Sequence, residues 1–216
     1  MLVVTGTDTG VGKTITTAAV ASVLPDAVVY KPVQAGTEDG LGDADVVARL
    51  AGVPTHEGIR LPDPMAPVAA ARRVGVALPP VREHVEFVAA LAAQHDHVLV
   101  EGAGGLLVEL DDEGHTLRDL ARLLGAPVIV VCRSGLGTLN HTALTREALR
   151  GLPEAGLVIG SWPDAPTEID ESNRAHLEPL LGAVPADAAR LDTARFRAAA
   201  PTWLPALRAR ATSAER

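Results

Sequence analysis

The order of apolar and amphipathic segments constrains the fold of this chain more than any other feature of its sequence. Short runs rich in β-branched residues occur at 2–4, 27–30, 97–101, 127–132 and 156–160, with a weaker run at 180–184. Segments with helical periodicity separate them, at 13–24, 44–51, 81–94, 116–124, 138–150 and 171–181. Wholly apolar strands that alternate with helices are typical of a parallel sheet covered on both faces. The sequence therefore predicts an α/β three-layer sandwich with a mostly parallel central sheet.

Length and composition are those of a single globular domain. The chain has 216 residues, of which 47% are hydrophobic, so it can bury a full core. We therefore expect one domain over 1–216. The segment 52–80, rich in proline and glycine, is the longest stretch predicted to be irregular, and 206–216 are predicted to form a frayed tail.

Charge and cysteine content argue against several classes of function. The formal net charge is −8 and there is no basic tract, which argues against a nucleic acid or an anionic membrane as partner. No apolar run approaches the roughly 18 residues of a membrane span, and a strand pattern that begins at Leu2 leaves no room for a signal peptide. The single cysteine, Cys132, allows no internal disulfide and is predicted to be an inert core residue rather than a reactive thiol. A cytoplasmic protein fits these observations best.

A glycine-rich loop, TGTDTGVGKT at residues 5–14, joins the first predicted strand to a helix. In such loops glycines let backbone N–H groups converge on phosphate oxygens, a lysine neutralises the β- and γ-phosphates, and the next hydroxyl binds Mg²⁺. Here these residues are Gly10, Gly12, Lys13 and Thr14. An ordinary strand–turn–helix connection is the alternative, but G-K-T in this context favours a P-loop NTPase-like fold.

Further polar residues follow the next predicted strands, at the edge where parallel sheets bind ligands. Lys31 ends the second apolar run, and Glu101 opens EGAGG, in which three glycines let a ligand approach the backbone. We interpret Glu101 as a carboxylate on the metal side of the site; a tight turn with an exposed glutamate is the alternative. Asp43 and Asp45, in GDAD at 42–45, stand at a predicted helix start, where a mere N-cap is the alternative for both and more so for Asp45.

Lysine is scarce in this chain. Of the 19 basic residues only two, Lys13 and Lys31, are lysines. Base composition of the coding DNA accounts for an excess of arginine, but not for the places of the two lysines. Lysine carries a compact charge that can lose its proton, whereas arginine is a broad and permanently charged fork. Both positions are therefore predicted to need an ammonium group.

Two histidine-containing segments are assigned no functional role. HDH at 95–97 has no third metal ligand nearby and is predicted to be a solvated loop between a helix and a strand. His141 is interpreted as a packing residue.

Taken together, these segments resemble the dethiobiotin synthetases, the ATP-dependent ring-closing enzymes of biotin synthesis. The matching segments are VTGTDTGVGKT, YKPVQAG, GDAD, VEGAGGLLVEL, LGTLNH and GLVIGSWP, in the family's order. The first, second and fourth are specific in combination, and the match weakens after about residue 190. A loop one residue longer than G-x-x-x-x-G-K-[ST] is that family's form, and we expect the extra residue to bring Asp8 and Thr9 over the γ-phosphate.

The resemblance implies a reaction and its site residues. The substrates are 7,8-diaminononanoate, CO₂ and ATP with Mg²⁺, and the enzyme is a homodimer. Nucleotide binding is expected from Gly10, Val11, Gly12, Lys13, Thr14, Ile15, Asp43, Glu101, Gly102, Ala103, Gly104, Gly160, Ser161, Pro185, Ala186 and Asp187. Substrate binding is expected from Thr9, Lys31, Ala35, Leu136, Gly137, Leu139 and Asn140, with 136–140 supplied by the second subunit. Catalytic roles fall to Thr9, Lys13 and Lys31, and the metal to Thr14, Asp43 and Glu101.

The chain departs from the family pattern at two places. Ala35 stands where the family usually has Ser or Thr, which removes a hydroxyl expected to contact the substrate, a loss of ~1 kcal/mol. Gly160 and Ser161 stand where an Asn usually reads the adenine edge, so other nucleoside triphosphates are expected to be accepted besides ATP.

Two rival functions fit the sequence less well. A cobyrinate- or cobyrate-type amidotransferase also needs a glutaminase domain with its own Cys nucleophile, for which 216 residues leave no room. A nucleotide switch of the small-GTPase or partitioning type lacks support because N-K-x-D is absent and no lysine precedes Gly10. DDEG at 111–114 imitates the D-x-x-G of such switches but follows no clear strand end.

Overall fold

In the part of the chain that the structure describes, seven parallel strands form one central sheet. The computed structural model describes residues 1–36 and 40–214, and side chains as far as residue 209. The strands are β1 (Leu2–Gly6), β2 (Ala27–Ala35), β3 (Thr55–Leu61), β4 (His97–Gly105), β5 (Val128–Cys132), β6 (Glu154–Trp162) and β7 (Leu180–Pro185). Their order is β3-β2-β4-β1-β5-β6-β7, and each neighbouring pair is parallel.

Helices cover both faces of the sheet. They are α1 (Lys13–Val23), α2 (Asp43–Ala51), α3 (Pro67–Val74), α4 (Val81–Ala92), α5 (Leu117–Leu124), α6 (Thr138–Ala148), α7 (Glu168–His176), α8 (Thr193–Trp203) and α9 (Pro205–Ala214). Successive strand residues point to opposite faces: Val29 and Leu99 pack in one core with α1, α2, α8 and α9, and Val28 and Val100 in another with α3, α4 and α5. The predicted three-layer α/β sandwich is confirmed. Within the described residues no helix has the length and apolar character that a membrane crossing requires.

Several strands run further than predicted, and two of these extensions bear on the site. β2 continues to Ala35 and β4 to Gly105, so Lys31 and Glu101 lie well inside strands rather than at strand ends. Backbone pairing with neighbouring strands explains the extension, since Lys31 is in register with Glu57 of β3 and Gly105 with Gly6 of β1.

The segment 52–80, predicted to be irregular, contains both β3 and α3. β3 is an edge strand whose residues alternate between exposed and partly buried, so it lacks a continuous apolar run. α3 has Pro67 in its first turn, where proline favours a helix start. The prediction was wrong because proline and glycine here mark the ends of short elements.

The predictions for the carboxyl-terminal part were also inaccurate. α7 begins at Glu168, before the predicted 171, because Thr167 and Asp170 form a capping box in which each backbone N–H donates to the other's side chain. The predicted frayed tail is helical as far as Ala214, and Leu207 is buried in the core. Residues 215 and 216 lie outside the described residues.

Cys132 ends β5 in the core. Its side chain is fully buried and free of any disulfide. Burial raises the pKa of the thiol to about 11, so the thiolate is scarce at neutral pH. The prediction of an inert core residue is confirmed.

Candidate active site

A cleft opens at the carboxyl edge of β1, β2 and β4, beside the start of α1. Its volume of about 630 Å³ is sufficient for a small-molecule ligand. It is lined by Thr9, Gly10, Gly12, Lys13, Thr14, Ile15, Lys31, Val33, Gln34, Ala35, Asp43, Pro64, Met65, Ala66, Pro67, Ala103, Gly104 and Val108. Most of the site residues predicted near the carboxyl ends of β1, β2 and β4 therefore lie in one cavity.

The glycine-rich loop turns tightly onto α1. Gly10 and Gly12 have φ angles of 70° and 92°, which glycine adopts without strain. Val11, between them, does not line the cleft, because its side chain is buried against the sheet. A Cβ atom at Gly12 would lie 2.2 Å from the carbonyl oxygen of Gly160, so the loop packs directly on β6. This packing presents the first N–H groups of α1 to the cleft, an arrangement that suits an anion.

Lys13 is the first residue of α1, and its side chain is turned back under the loop. Its Nζ donates to the backbone carbonyl of Asp8 at 3.0 Å. Burial, and then the nearby charge of Lys31, lower the pKa of Lys13. A phosphate group in the cleft would offset both effects, since an opposite charge favours the ammonium form.

Three oxygen-bearing side chains from different elements meet beside Lys13. Thr14 Oγ1, from α1, lies 2.7 Å from Asp43 Oδ1 of α2 and 3.1 Å from Glu101 Oε1 of β4. No group of three or more His, Cys, Asp and Glu able to hold a metal is found in the described part of the chain. Mg²⁺ prefers oxygen ligands and is usually bound by one or two carboxylates together with substrate phosphates. The donor set therefore fits Mg²⁺ accompanied by a nucleotide.

Lys31 lies against the same two carboxylates. Its side chain is only 3% exposed, and its Nζ lies 2.5 Å from Asp43 Oδ2, 3.0 Å from Glu101 Oε1 and 2.9 Å from the carbonyl of Gly102. Burial disfavours the ammonium form, but the charges of Glu101 and Asp43 outweigh it and raise the pKa of Lys31. Burial also opposes ionisation of Asp43, yet Lys31 lowers the pKa of that carboxyl. Lys31 is therefore a fixed positive charge at neutral pH.

Residues that were not predicted hold Asp43 in place. Gln34 is buried, and its Oε1 accepts the N–H of Asp43 at 2.7 Å. Asp45 accepts the N–H of Gly42 at 2.9 Å and pairs with Arg60 at 2.8 Å, so it caps α2, as its alternative interpretation held. A polar residue inside the YKPVQAG strand was the available signal for Gln34. Residues 64–67 also line the cleft. No sequence signal predicted this, because they lie in the segment predicted to be irregular.

The EGAGG segment forms the floor of the cleft. Glu101 is 1% exposed, which rules out the exposed-turn interpretation. A Cβ atom at Gly102 would lie 2.2 Å from the side chain of Leu117, and Gly104 has a φ of 64°. Ala103 and Gly104 line the cleft, so backbone is exposed to a ligand there.

The residues predicted for the base lie on the other side of the glycine-rich loop. Gly160 packs so closely on the loop that a Cβ atom would lie 2.1 Å from the carbonyl oxygen of Val11. Ser161 is exposed beside it. Pro185 ends β7 and is followed by Ala186 and Asp187, and the N–H of Ala186 donates to the carbonyl of Trp162 at 2.9 Å. These residues do not line the cleft described above.

The segment 136–140 does not line the cleft of its own chain. Leu136 is 89% exposed and Leu139 is 40% exposed. Gly137 caps the start of α6, and Asn140 is exposed in its first turn. His141 is exposed too, so its interpretation as a packing residue was wrong: it lies on the outer side of α6.

The remaining sequence motifs have structural roles. In HDH, His95 pairs with Asp26 at 3.0 Å and His97 contacts the carbonyl of Pro25 at 2.8 Å. The predicted solvated loop holds only in part, because His97 already opens β4 and both histidines are partly buried. In DDEG, the buried carboxylate of Asp111 accepts the N–H of Val81 at 2.9 Å and two N–H groups of its own turn. This motif therefore organises a turn.

Comparison with known proteins identifies relatives over almost the whole chain. A family model described as AAA domain matches residues 1–191. The ATP-dependent dethiobiotin synthetase BioD of Streptomyces avermitilis is 55% identical, over 94% of this chain and 91% of that protein. Proteins of the same name from Mycobacterium avium and Parafrankia sp. are 54% and 52% identical, over 92% and 91% of this chain and 92% and 88% of theirs.

A similar fold occurs among solved structures. A chain of the MinC:MinD cell division protein complex from Aquifex aeolicus matches with a TM-score of 0.55, covering 98% of this chain and 95% of that one. Its sequence identity is 12%, so this likeness shows the fold alone. The relatives of more than 50% identity over most of the chain show the family: this chain belongs to the ATP-dependent dethiobiotin synthetases.

Proposed function

We propose that this protein closes 7,8-diaminononanoate into dethiobiotin with CO₂, ATP and Mg²⁺, the penultimate step of biotin synthesis. The observation that carries the proposal, beside family membership, is the cluster in which Lys31 meets Asp43 and Glu101 next to Thr14. That cluster offers a fixed cation and a set of metal ligands directly beside a glycine-rich loop suited to phosphate.

The chemistry explains why such a cluster is needed. One amine of the substrate takes up CO₂ and becomes a carbamate, whose oxygen attacks the γ-phosphorus of ATP and releases ADP. The other amine then attacks the carbon of this carbamic–phosphoric anhydride, the C–O bond breaks, and phosphate leaves as the cyclic urea forms. Carbamate and triphosphate are both anions, so catalysis consists mainly of bringing them together in line and neutralising their charge.

The residues of the cleft divide this work. Thr14, Asp43 and Glu101 would hold Mg²⁺, which would supply positive charge against the charge of the phosphate groups. Lys13 is placed to bind the β- and γ-phosphates. Lys31, across the cleft, is placed to meet the carbamate. Thr9 lines the cleft near Gly104, where its hydroxyl can contact the substrate amine.

A homodimer belongs to the proposal. The carboxylate tail of the substrate needs an anion site, and the positive end of the α6 dipole at its first turn would favour one there. Leu136, Gly137, Leu139 and Asn140 do not line the cleft of their own chain, and Leu136 is almost wholly exposed. A second subunit would cover the side chains of Leu136 and Leu139. The segment 136–140 would then contact the substrate bound in the cleft of that second subunit.

The two places where the chain departs from the family pattern, Ala35 and the pair Gly160 and Ser161, bear on its substrate and nucleotide preferences. Gly160 and Ser161 cannot offer the paired donor and acceptor of an asparagine amide, so we propose that other nucleoside triphosphates replace ATP. Ala35 lines the cleft and has no hydroxyl group. We therefore propose weaker binding of the substrate, with the type of reaction unchanged. Since ATP is a cytoplasmic co-substrate, we place the protein in the cytoplasm.

Phosphate release tests this function. With ATP and Mg²⁺, purified protein should release phosphate only when both the diamine and CO₂ are present, one phosphate for each dethiobiotin formed. The variant Arg122→Ala removes an exposed charge of α5 outside the cleft. It controls for effects of mutation and purification and should behave as the wild type. Phosphate release that ignores the diamine would point to a plain ATPase instead.

A further inference from the structure

The extra residue of the glycine-rich loop is held by a side chain from another strand. Arg133 directly follows β5, the neighbour of β1 in the sheet. Its Nη2 donates to Asp8 Oδ2 at 3.0 Å and to the carbonyl of Thr9 at 3.0 Å. Asp8 Oδ1 in turn accepts the N–H of Thr9 at 2.7 Å. Both backbone polar groups of Thr9 are therefore bound by this pair of side chains.

The same stretch of loop is also held from the cleft side. Lys13 Nζ donates to the carbonyl of Asp8 at 3.0 Å, so Asp8 and Thr9 lie between Lys13 and Arg133. Every residue added to a loop brings conformational freedom that must be lost when the loop is ordered. These contacts remove that freedom at the place where the loop is longer than usual.

Arg133 is itself firmly anchored. Its carbonyl accepts Thr138 Oγ1 at 2.7 Å, and Thr138 opens α6. The side-chain amide of Asn173 in α7 donates to the carbonyls of Ser134 and Gly135 at 2.7 and 3.0 Å. A chain of hydrogen bonds thus joins the glycine-rich loop to the start of the helix proposed to bind the substrate tail.

We propose that Arg133 is a positioning residue, which fixes Thr9 for turnover and contributes little to folding stability. The side chains of Arg133 and Asp8 are 52% and 55% exposed, and exposed ion pairs stabilise a fold little. Thr9 lines the cleft, and a small misplacement of a group at a reacting centre lowers the rate strongly. The inference rests on the proposed function, and on Thr9 acting in it.

The test compares Arg133→Ala with the wild type in ring closure, nucleotide affinity and thermal unfolding. We expect kcat to fall about tenfold or more, with the ATP dissociation constant and the melting temperature almost unchanged. Arg133→Lys should recover part of the rate, because an ammonium can still reach one of the two acceptors. The matched control is Arg122→Ala, which removes another half-exposed arginine–aspartate pair, at 3.2 Å, and should keep wild-type kcat.

A double variant separates positioning from a general effect of charge. If Arg133 and Asp8 act as one unit that fixes Thr9, adding Asp8→Ala to Arg133→Ala should lower kcat no further than the worse single variant. Losses that multiply would overturn the proposal, as would a kcat for Arg133→Ala equal to that of Arg122→Ala. A loss of rate that merely follows a loss of folded protein would overturn it too. The wild type is measured alongside, and its failure to close the ring would instead overturn the proposed function, and this inference with it.

Discussion

Lys31 occupies a pocket of three oxygen atoms that fits an ammonium group. Its Nζ is within 3.0 Å of Asp43, Glu101 and the carbonyl of Gly102, and the side chain is almost fully buried. A guanidinium group is planar and broader, so it cannot place a compact charge at the same point. This pocket gives a physical reason for one of the two lysines of the chain to stand at position 31.

The variant Lys31→Arg should keep the charge and still lose most turnover. We expect kcat to fall about 100-fold, because the bulkier group displaces Asp43 and Glu101 as well as the carbamate contact. Steady-state ring-closure kinetics, with the melting temperature measured to confirm folding, would check this. Turnover like that of the wild type would contradict the role given to Lys31.

The base pocket offers a second prediction at this scale. Gly160 lies in backbone contact with Val11, and Ser161 beside it carries one rotatable hydroxyl. Since the phosphate groups supply most of the contacts, CTP, GTP or UTP should support turnover within about tenfold of ATP, or ~1.4 kcal/mol. Kinetics with all four triphosphates decide the point. A preference for ATP of a hundredfold or more would mean that other groups, such as the backbone near Ala186, still read the base.

Sequence reasoning found the residues whose type is itself the signal. Lys13, Thr14 and Glu101 stand in recognisable glycine-rich segments, and the structure brings them together as predicted. Arg133 could not be found in this way, because its role depends on which strands are neighbours, and Gln34 offered only the signal of a polar residue inside a strand. A hydrogen bond from Arg133 to Asp8 joins residues that are far apart in the chain.

Among the elements, α4 is fastened to β2 by a buried pair of side chains. Tyr30 Oη lies 2.6 Å from His84 Nδ1, and both residues are almost fully buried. Burial lowers the pKa of His84 and raises the pKa of Tyr30 to about 12. Both side chains are therefore neutral in the folded protein at neutral pH, although Asp111 favours protonation of His84 to a lesser degree.

This pair predicts how stability depends on pH. The pKa of His84 is lower in the folded protein than its unfolded value of about 6.5, so the unfolded chain binds a proton first as the pH falls. The stabilisation is full above that value and is lost progressively below it, down to the folded pKa. Denaturant unfolding at about pH 7.5 and about pH 5.5 should show a larger loss for the wild type than for Tyr30→Phe/His84→Leu. Equal losses would contradict the assignment, since the two proteins differ only at this pair of side chains.

A strand or helix was predictable where the residues that contact the core form a continuous or periodic apolar pattern in the sequence. The apolar runs of β1, β4 and β5 are buried on both faces and were found. β3 pairs on one side only and alternates in exposure, so its signal is weak. α7 was placed too late because the capping box at Thr167 and Asp170, a local signal present in the sequence, was overlooked.

For the whole molecule, the proposed dimer predicts complementation between two inactive variants. Lys31→Ala damages the cleft, and Asn140→Ala damages the segment supplied to the partner. Random mixing makes half of the dimers mixed, each with one intact site of two, so co-refolded protein should regain about a quarter of the wild-type activity. Each variant refolded alone is the control. No recovery in proven mixed dimers would place the substrate tail within one subunit.

The fate of the oxygen atoms of CO₂ tests the central claim most directly. If the carbamate oxygen attacks the γ-phosphorus, a C–O bond must break when the ring closes, and that oxygen leaves with phosphate. With C¹⁸O₂, short incubations and mass spectrometry should find one ¹⁸O atom in the released phosphate and the other in the ureido carbonyl of dethiobiotin. Phosphate that carries no ¹⁸O while the labelled ring forms would contradict the anhydride route, and with it the roles assigned to Lys13 and Lys31.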